Sequence, residues 1–264
     1  MLFFFSGTGN TRWAAETISK ITGETLLSIP DELRKGDCRY TLAEGERLGF
    51  CFPVHGWQPP RIVREFIRKM TVSNAGGHYC FALCTCGDTV GDTMTILNKE
   101  LARHGLEATG QFSIVMPESY VCLPFMYTDT EEREREKIDA AGKLLKEIGR
   151  MIVSREADTA TLVKGATPRL YSYVIGRYFN SRMITDKPFT VSDECIKCGL
   201  CAEVCPTGDI TGGRGSSPEW KHDGSCTCCL ACYHHCPVHA INYGKRTKKR
   251  GQYYFRKNRD GGNT

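Results

Sequence analysis

Along residues 1–160 the apolar positions switch repeatedly between short unbroken runs and three-and-four spacing. Unbroken runs of strand length suit strands covered on both faces, and three-and-four spacing suits helices packed on one side. LFFF at 2–5 is the first such run, and 24–29, 47–52, 78–84 and 110–116 are further strand candidates. Helical spacing covers 10–21, 60–70, 91–104 and 131–152. The last helix carries an entry signal: Thr128 stands three residues before Glu131 and Asp129 three before Glu132, either of which fits a capping box. Ile138, Ala141, Leu145, Ile148 and Ile152 supply its apolar stripe. The stretch 30–46 makes a poor helix, so the connection between the second and third strands is expected to be shortened or irregular.

Such alternation implies βαβ units and a mostly parallel sheet between two helical layers. Five strands point to a doubly wound α/β class with order 2-1-3-4-5. This first domain is expected to span 1–164. Residues 165–190 form a bridge in which Leu170, Tyr173, Val174, Arg177 and Tyr178 recur at helical spacing, the pattern of an amphipathic linker helix packed on one domain. From 191 to 244 the composition turns to Cys, Gly and Pro, and 245–264 is a basic C-terminal tail, expected to be flexible at its tip.

Composition narrows the chemistry. The 264 residues are 41% hydrophobic and 25% charged, the balance of a soluble globular chain. No apolar run approaches the roughly 18 residues of a membrane span, and the N-terminus lacks a basic, cleavable leader, so a cytoplasmic protein is expected. The formal charge of +5 is concentrated in the tail, where eight Lys or Arg face one Asp. Fifteen cysteines cannot all pair, and without an export signal short-spaced cysteines point to metal rather than disulfides.

Cys195, Cys198, Cys201 and Cys205 precede Pro206, and Cys226, Cys229, Cys232 and Cys236 precede Pro237 with the same spacings, each 31 residues after its counterpart. This is an internal repeat of C-x2-C-x2-C-x3-C-P. Three thiolates on one tight loop reach three iron corners of a cubane, while the fourth turns away to the other cluster. Cys195, Cys198, Cys201 and Cys236 are therefore expected to hold one 4Fe–4S cluster, and Cys226, Cys229, Cys232 and Cys205 the other. Zinc sites pair C-x2-C units across longer loops, often with His, which fits poorly. Cys228 falls out of register as a ligand, and His234, His235 and His239 are expected to be surface residues or hydrogen-bond donors. The segment resembles bacterial two-cluster ferredoxins, including CPTGDI at 205–210 and CPVHAI at 236–241.

The first strand runs into Ser6, Gly7, Thr8, Gly9, Asn10 and Thr11 and then a helix. Glycines let backbone N–H groups wrap an anion, the helix start adds its dipole, and three hydroxyls and an amide complete a cradle without lysine. A Walker loop would need Gly-Lys-Ser/Thr, and a dinucleotide fingerprint would need glycine where Arg12 stands. The alternative is a plain strand-to-helix turn. SGTGNT is similar to the FMN-phosphate loop of flavodoxins, and that resemblance implies a flavodoxin-like domain with two further flavin loops. One matches Pro53, Val54, His55, Gly56 and Trp57, with Trp57 covering a ring face or serving as an ordinary hydrophobic anchor. The other matches 84–92, with Thr85, Cys86, Gly87, Asp88 and Gly91 approaching the ring edge. That loop lacks the tyrosine many flavodoxins place there, leaving Tyr120 as a substitute or one ring face open. Cys84 and Cys86 read as buried small hydrophobes.

Taken whole, the chain resembles an anaerobic family in which a flavodoxin-like domain precedes a two-cluster ferredoxin domain. The resemblance implies an electron carrier linking two 4Fe–4S clusters and FMN to a redox partner, with the basic tail docking an acidic protein or simply solvated. The alternative is an FMN-dependent reductase of a small organic acceptor fed by the clusters. No nucleophile–base pair or nicotinamide fingerprint is legible, and nucleic-acid binding through the tail alone is not expected.

Overall fold

In the computed structural model, which describes residues 1–157, 159 and 161–257, the unbroken apolar runs become one parallel sheet. Its chain-order elements are Leu2–Phe4 (β1), Asn10–Thr22 (α1), Leu26–Ser28 (β2), Ile29–Lys35 (α2), Arg39–Tyr40 (β3), Leu48–Pro53 (β4), Arg61–Lys69 (α3), Thr71–Val72 (β5), Cys80–Cys86 (β6), Thr93–Leu101 (α4), Gly110–Val115 (β7) and Glu131–Val153 (α5). The five-stranded sheet runs β2-β1-β4-β6-β7, all parallel, and β3 pairs with β5 beside it. Side chains alternate across it. Phe3, Phe50, Phe52 and Phe66 fill one face with α3 and α4, while Leu2, Ile18, Phe81, Phe112 and Leu145 fill the other with α1 and α5.

The poor-helix reading of 30–46 needs correction at its start. Ile29–Lys35 is helical, with Pro30 in its first turn, Asp31 and Glu32 at the positive end and Arg34 and Lys35 at the negative end. Gly36 then ends it at φ 78°, and only the remainder is irregular.

Leu170–Ile175, Gly176–Tyr178 and Phe179–Met183 join into one helical run (α6), wound wider than an α-helix at both ends. A helix was expected there, but its packed face is the reverse of the expected one. Leu170, Tyr173, Val174 and Tyr178 are exposed, whereas Ser172, Gly176 and Phe179 are buried. Gly176 lies against the carbonyl of Gly56, an approach that a side chain would block.

The cysteine-rich segment repeats itself in its backbone. Leu200–Glu203 (α7) follows Gly199 at φ 83°, and Ala231–His234 (α8) follows Leu230 at φ 61°. Lys197 and Cys228, at φ 56° and 51°, and Gly208 and His239, at 64° and 53°, are further left-handed pairs at the same offset. Phe189–Val191 (β8) pairs antiparallel with Ile241–Tyr243 (β11), and Ile210–Thr211 (β9) with Glu219–Trp220 (β10).

The basic segment does not trail away after β11. Thr247 and Tyr253 are buried, and Arg250 lies 3.5 Å over the Tyr127 ring. The expected flexible tip, 258–264, lies outside the described residues. Among the described residues no helix is long and apolar enough to cross a membrane.

Candidate functional site

Four strand ends of the sheet and the second cysteine run converge on a cavity of about 280 Å³. At one end stands the loop between β1 and α1. The Ser6 hydroxyl there is buried without a hydrogen-bond partner, and Ser6, Gly7, Thr8, Asn10 and Thr11 all line the cavity. A buried hydroxyl without a partner is costly in an empty site and is satisfied by an incoming acceptor. Gly9 does not line the cavity. Its φ of 96° lets the chain turn into α1, and its outer side meets Phe255.

Two members of the expected cradle are otherwise engaged. The Asn10 amide donates to the Pro117 carbonyl (3.1 Å), and its oxygen accepts from the Tyr253 hydroxyl (2.6 Å). The Thr11 and Thr85 hydroxyls share a 2.7 Å hydrogen bond. Ser6, Thr8 and the loop backbone are left to meet an anion.

Pro53, Val54, His55, Gly56 and Trp57 line the next wall, and Thr85, Cys86, Gly87 and Asp88 the one beyond. Gly56 and Trp57 both have left-handed backbones, at φ 54° and 55°, which folds this loop back so that His55 and Gln58 bridge. The Trp57 indole N–H donates to the Thr89 hydroxyl (3.0 Å), and its ring stacks on Tyr171 at 4.8 Å. Gly91 lies outside the cavity, packed behind Trp57 and Ser172. Cys84 is fully buried in the sheet. The Cys86 thiol, pushed up to about 12 by burial and then by Asp88 and Glu118, sits near the Asp88 carbonyl. Burial pushes the His55 imidazole down to about 4.

The remaining wall was legible in the sequence only through Tyr120. Tyr120, left without a place by sequence reasoning, lines the cavity with its hydroxyl buried and unpartnered, and its ring meets Phe179 edge-on at 5.2 Å. Glu118 faces the Gly87 backbone, and one carboxylate oxygen accepts from the N–H groups of Ser119 (2.9 Å) and Tyr120 (2.8 Å). Burial raises its pKa against the lowering effect of those N–H groups. Leu123, Met126 and Ile184 add apolar surface.

Cys228 and Cys229 close the far end. A Cβ on Gly7 would lie 3.2 Å from the Cys229 sulfur, so the anion loop touches the second cysteine run directly. Cys205 and Cys226 act electrostatically on Cys232, as Cys205 does on Cys229, which gathers these four thiols into one neighbourhood. Cys195, Cys198, Cys201 and Cys236 line a second, smaller cavity together, although Cys236 belongs to the other run. Among the described residues no three His, Cys, Asp or Glu side chains converge on a single-ion site. A cubane accommodates such spreading, because each thiolate meets its own iron.

His234 follows the hydrogen-bond-donor alternative rather than the surface one. It is buried, its Nε2 donates to the Ser119 carbonyl (2.6 Å) and its Nδ1 accepts from the Tyr253 N–H (3.0 Å). His235 stacks on Tyr254 at 4.2 Å. Residues 252–257 thus form a strap. Gln252 donates to the carbonyls of Tyr233 (2.7 Å) and Cys236 (2.8 Å), the Phe255 N–H donates to the Thr8 carbonyl (2.8 Å), and the Phe255 ring stacks on Trp13 at 4.9 Å.

Comparison with known proteins concentrates on the cysteine runs. The 4Fe-4S binding domain family (Fer4) matches residues 188–211, which include Cys195, Cys198, Cys201 and Cys205. Pyruvate synthase subunit PorD of Methanocaldococcus jannaschii is 33% identical over 64 residues, 24% of this chain and 73% of that protein. A ferredoxin-like protein in the nif region of Trichormus variabilis is 37% identical over 49 residues, 19% of this chain and 41% of that one. The ferredoxin of Megasphaera elsdenii is 62% identical over 24 residues, 9% of this chain and 44% of that one. The chain therefore spans less than half the length of these last two relatives. Among solved structures, rubredoxin oxygen:oxidoreductase from the anaerobe Desulfovibrio gigas matches at TM-score 0.32 and 10% identity, over 57% of this chain and 36% of that one, too loose a likeness to argue from.

Proposed function

We propose, from the premise that this chain belongs to the 4Fe–4S ferredoxin family, that it passes electrons between two 4Fe–4S clusters and an FMN held in the large cavity, to or from a redox partner. In this reading Cys195, Cys198, Cys201 and Cys236 hold the outer cluster, and Cys226, Cys229, Cys232 and Cys205 hold the inner one beside the flavin. The N-terminal domain is then flavodoxin-like in role as well as in its parallel sheet.

The residues present fit the flavin. The lone Ser6 hydroxyl, the Gly7 backbone and Thr8 would hold its phosphate, and Trp57 and Tyr120 offer aromatic surface for its rings. FMN exchanges electrons singly or in pairs whereas a cluster passes one, so the bound pair would convert between the two kinds of traffic. The chain supplies exclusion of water by Leu123, Met126, Phe179 and Ile184, and a fixed carboxyl at Glu118 beside the Gly87 loop.

The contact between Gly7 and Cys229 carries the reading, because it sets an anion loop and a cluster ligand on the same cavity. It also supports an order of transfer. Cys198 is exposed, so an external protein would exchange electrons at the outer cluster, and the inner cluster would relay them. The test is anaerobic purification with iron, sulfide and flavin analysis and an EPR spectrum. About eight iron atoms and one FMN per chain are expected; iron without flavin sinks the flavin half and leaves the ferredoxin half standing.

A further inference from the structure

We propose that the outward face of α6 is a membrane-surface docking face that takes anionic lipid headgroups. Val174 is 60% exposed, Tyr178 64% and Leu170 49%, and Tyr173 and Ile175 stand open beside them. Isolated apolar residues on a surface are ordinary, but a contiguous stripe at positions 170, 173, 174 and 178 of one helix marks a contact surface.

Charge identifies the occupant. From Lys164 to Ile184 the sequence contains no Asp or Glu, and it contains Lys164, Arg169, Arg177 and Arg182, all exposed. None of these four is in an ion pair among the described residues. Lys99 from α4 joins them, 5.3 Å over the Tyr173 ring. Asp92 meets this helix through its backbone, whose N–H donates to the buried Ser172 hydroxyl (2.7 Å).

A cationic helix with branched aliphatic and tyrosine side chains on its outer face is built to lie in a headgroup layer. The aliphatics enter the acyl boundary, the tyrosines sit at the interface, and the cations face anionic lipid. Its inner face is firmly held, so the helix is presented as a rigid bar. Gln58 donates to the Ser172 carbonyl (2.6 Å), and Asn180 donates to the carbonyl of His55 (2.9 Å).

The test is sedimentation of the full, anaerobically prepared chain with vesicles of equimolar phosphatidylglycerol and phosphatidylcholine. The chain is expected to pellet with them, to remain in solution with pure phosphatidylcholine, and to release at about 0.5 M salt as charges are screened. Val174→Glu with Tyr178→Glu is expected to weaken binding at least about tenfold, because two charges replace inserted apolar groups. Arg177→Gln with Arg182→Gln gives an independent reading should that pair misfold, and is expected to weaken binding severalfold. Lys248→Gln with Lys249→Gln, outside α6, is expected to leave binding unchanged. Failure of the full chain to pellet overturns the proposal. So does undiminished binding by both α6 variants, or a dimer in light scattering that α6 substitution dissolves without any vesicle binding, which would make the face a self-association surface.

Discussion

Gly7 and Cys229 meet where the sheet joins the cysteine-rich segment: a Cβ on Gly7 would fall 2.6 Å from the Cys229 Cβ and 3.1 Å from its carbonyl oxygen. Neither atom is the far end of a long side chain that could swing aside, so the approach depends on residue 7 having no side chain.

Gly7→Ala is therefore expected to push the loop and the inner cluster apart. Flavin affinity should fall at least about tenfold, equivalent to about 1.4 kcal/mol, and the EPR signal of the inner cluster should shift while the outer one stays. Titration with FMN reads the first effect. An unchanged affinity with unchanged spectra removes the contact from any functional role.

The shared lining of the smaller cavity by Cys195, Cys198, Cys201 and Cys236 makes a prediction about ligand exchange. Cys236→Ser should deplete the outer cluster and Cys205→Ser the inner one, each lowering iron by about half. If each variant instead damages the cluster of its own run, the exchange between repeats is wrong.

Tyr253→Phe keeps the buried ring and removes one hydrogen bond, that from its hydroxyl to Asn10. The loss should be about 1 kcal/mol of stability, measured by denaturant unfolding. Flavin should also bind more weakly, because Asn10 opens the helix that follows the anion loop. A stability loss with intact flavin binding would confine the strap to a structural part.

His55 predicts an acid-sensitive fold. The unfolded imidazole takes a proton near pH 6.5, whereas burial delays protonation in the folded state to about 4. The unfolded state binds more protons between these values, so stability should fall as pH drops from about 6.5 to 4 and level off below. His55→Gln should flatten that slope by about 2 kcal/mol between pH 7 and pH 4.5. A variant as acid-sensitive as the parent would assign the slope to other groups.

Local order explains which features the sequence revealed. Strand and helix periods depend on neighbours in the chain, so LFFF, the Glu131–Val153 helix and the cysteine spacings could be read directly. Tyr120 could be named only as a substitute without a place, and Glu118 not at all, because they reach the cavity through a loop whose course depends on His234 and the strap, far along the chain. The face of α6 was misjudged for a related reason. Both of its sides carry apolar residues, and small Ser172 and Gly176, which a hydrophobicity pattern passes over, are what permit close packing. Asn10 was read as an anion ligand because its partners, Pro117 and Tyr253, are remote in sequence.

The strap also sets a schedule. Thr8 is made long before Phe255, yet their backbones are joined by a hydrogen bond of 2.8 Å. A ribosome adds about 5–20 residues per second, so a nascent chain carries the anion loop for many seconds before the segment that braces it exists. Bracing of that loop is thereby tied to synthesis of the strap, and chains cut short before Gln252 would carry both cysteine runs but an unbraced loop at Thr8.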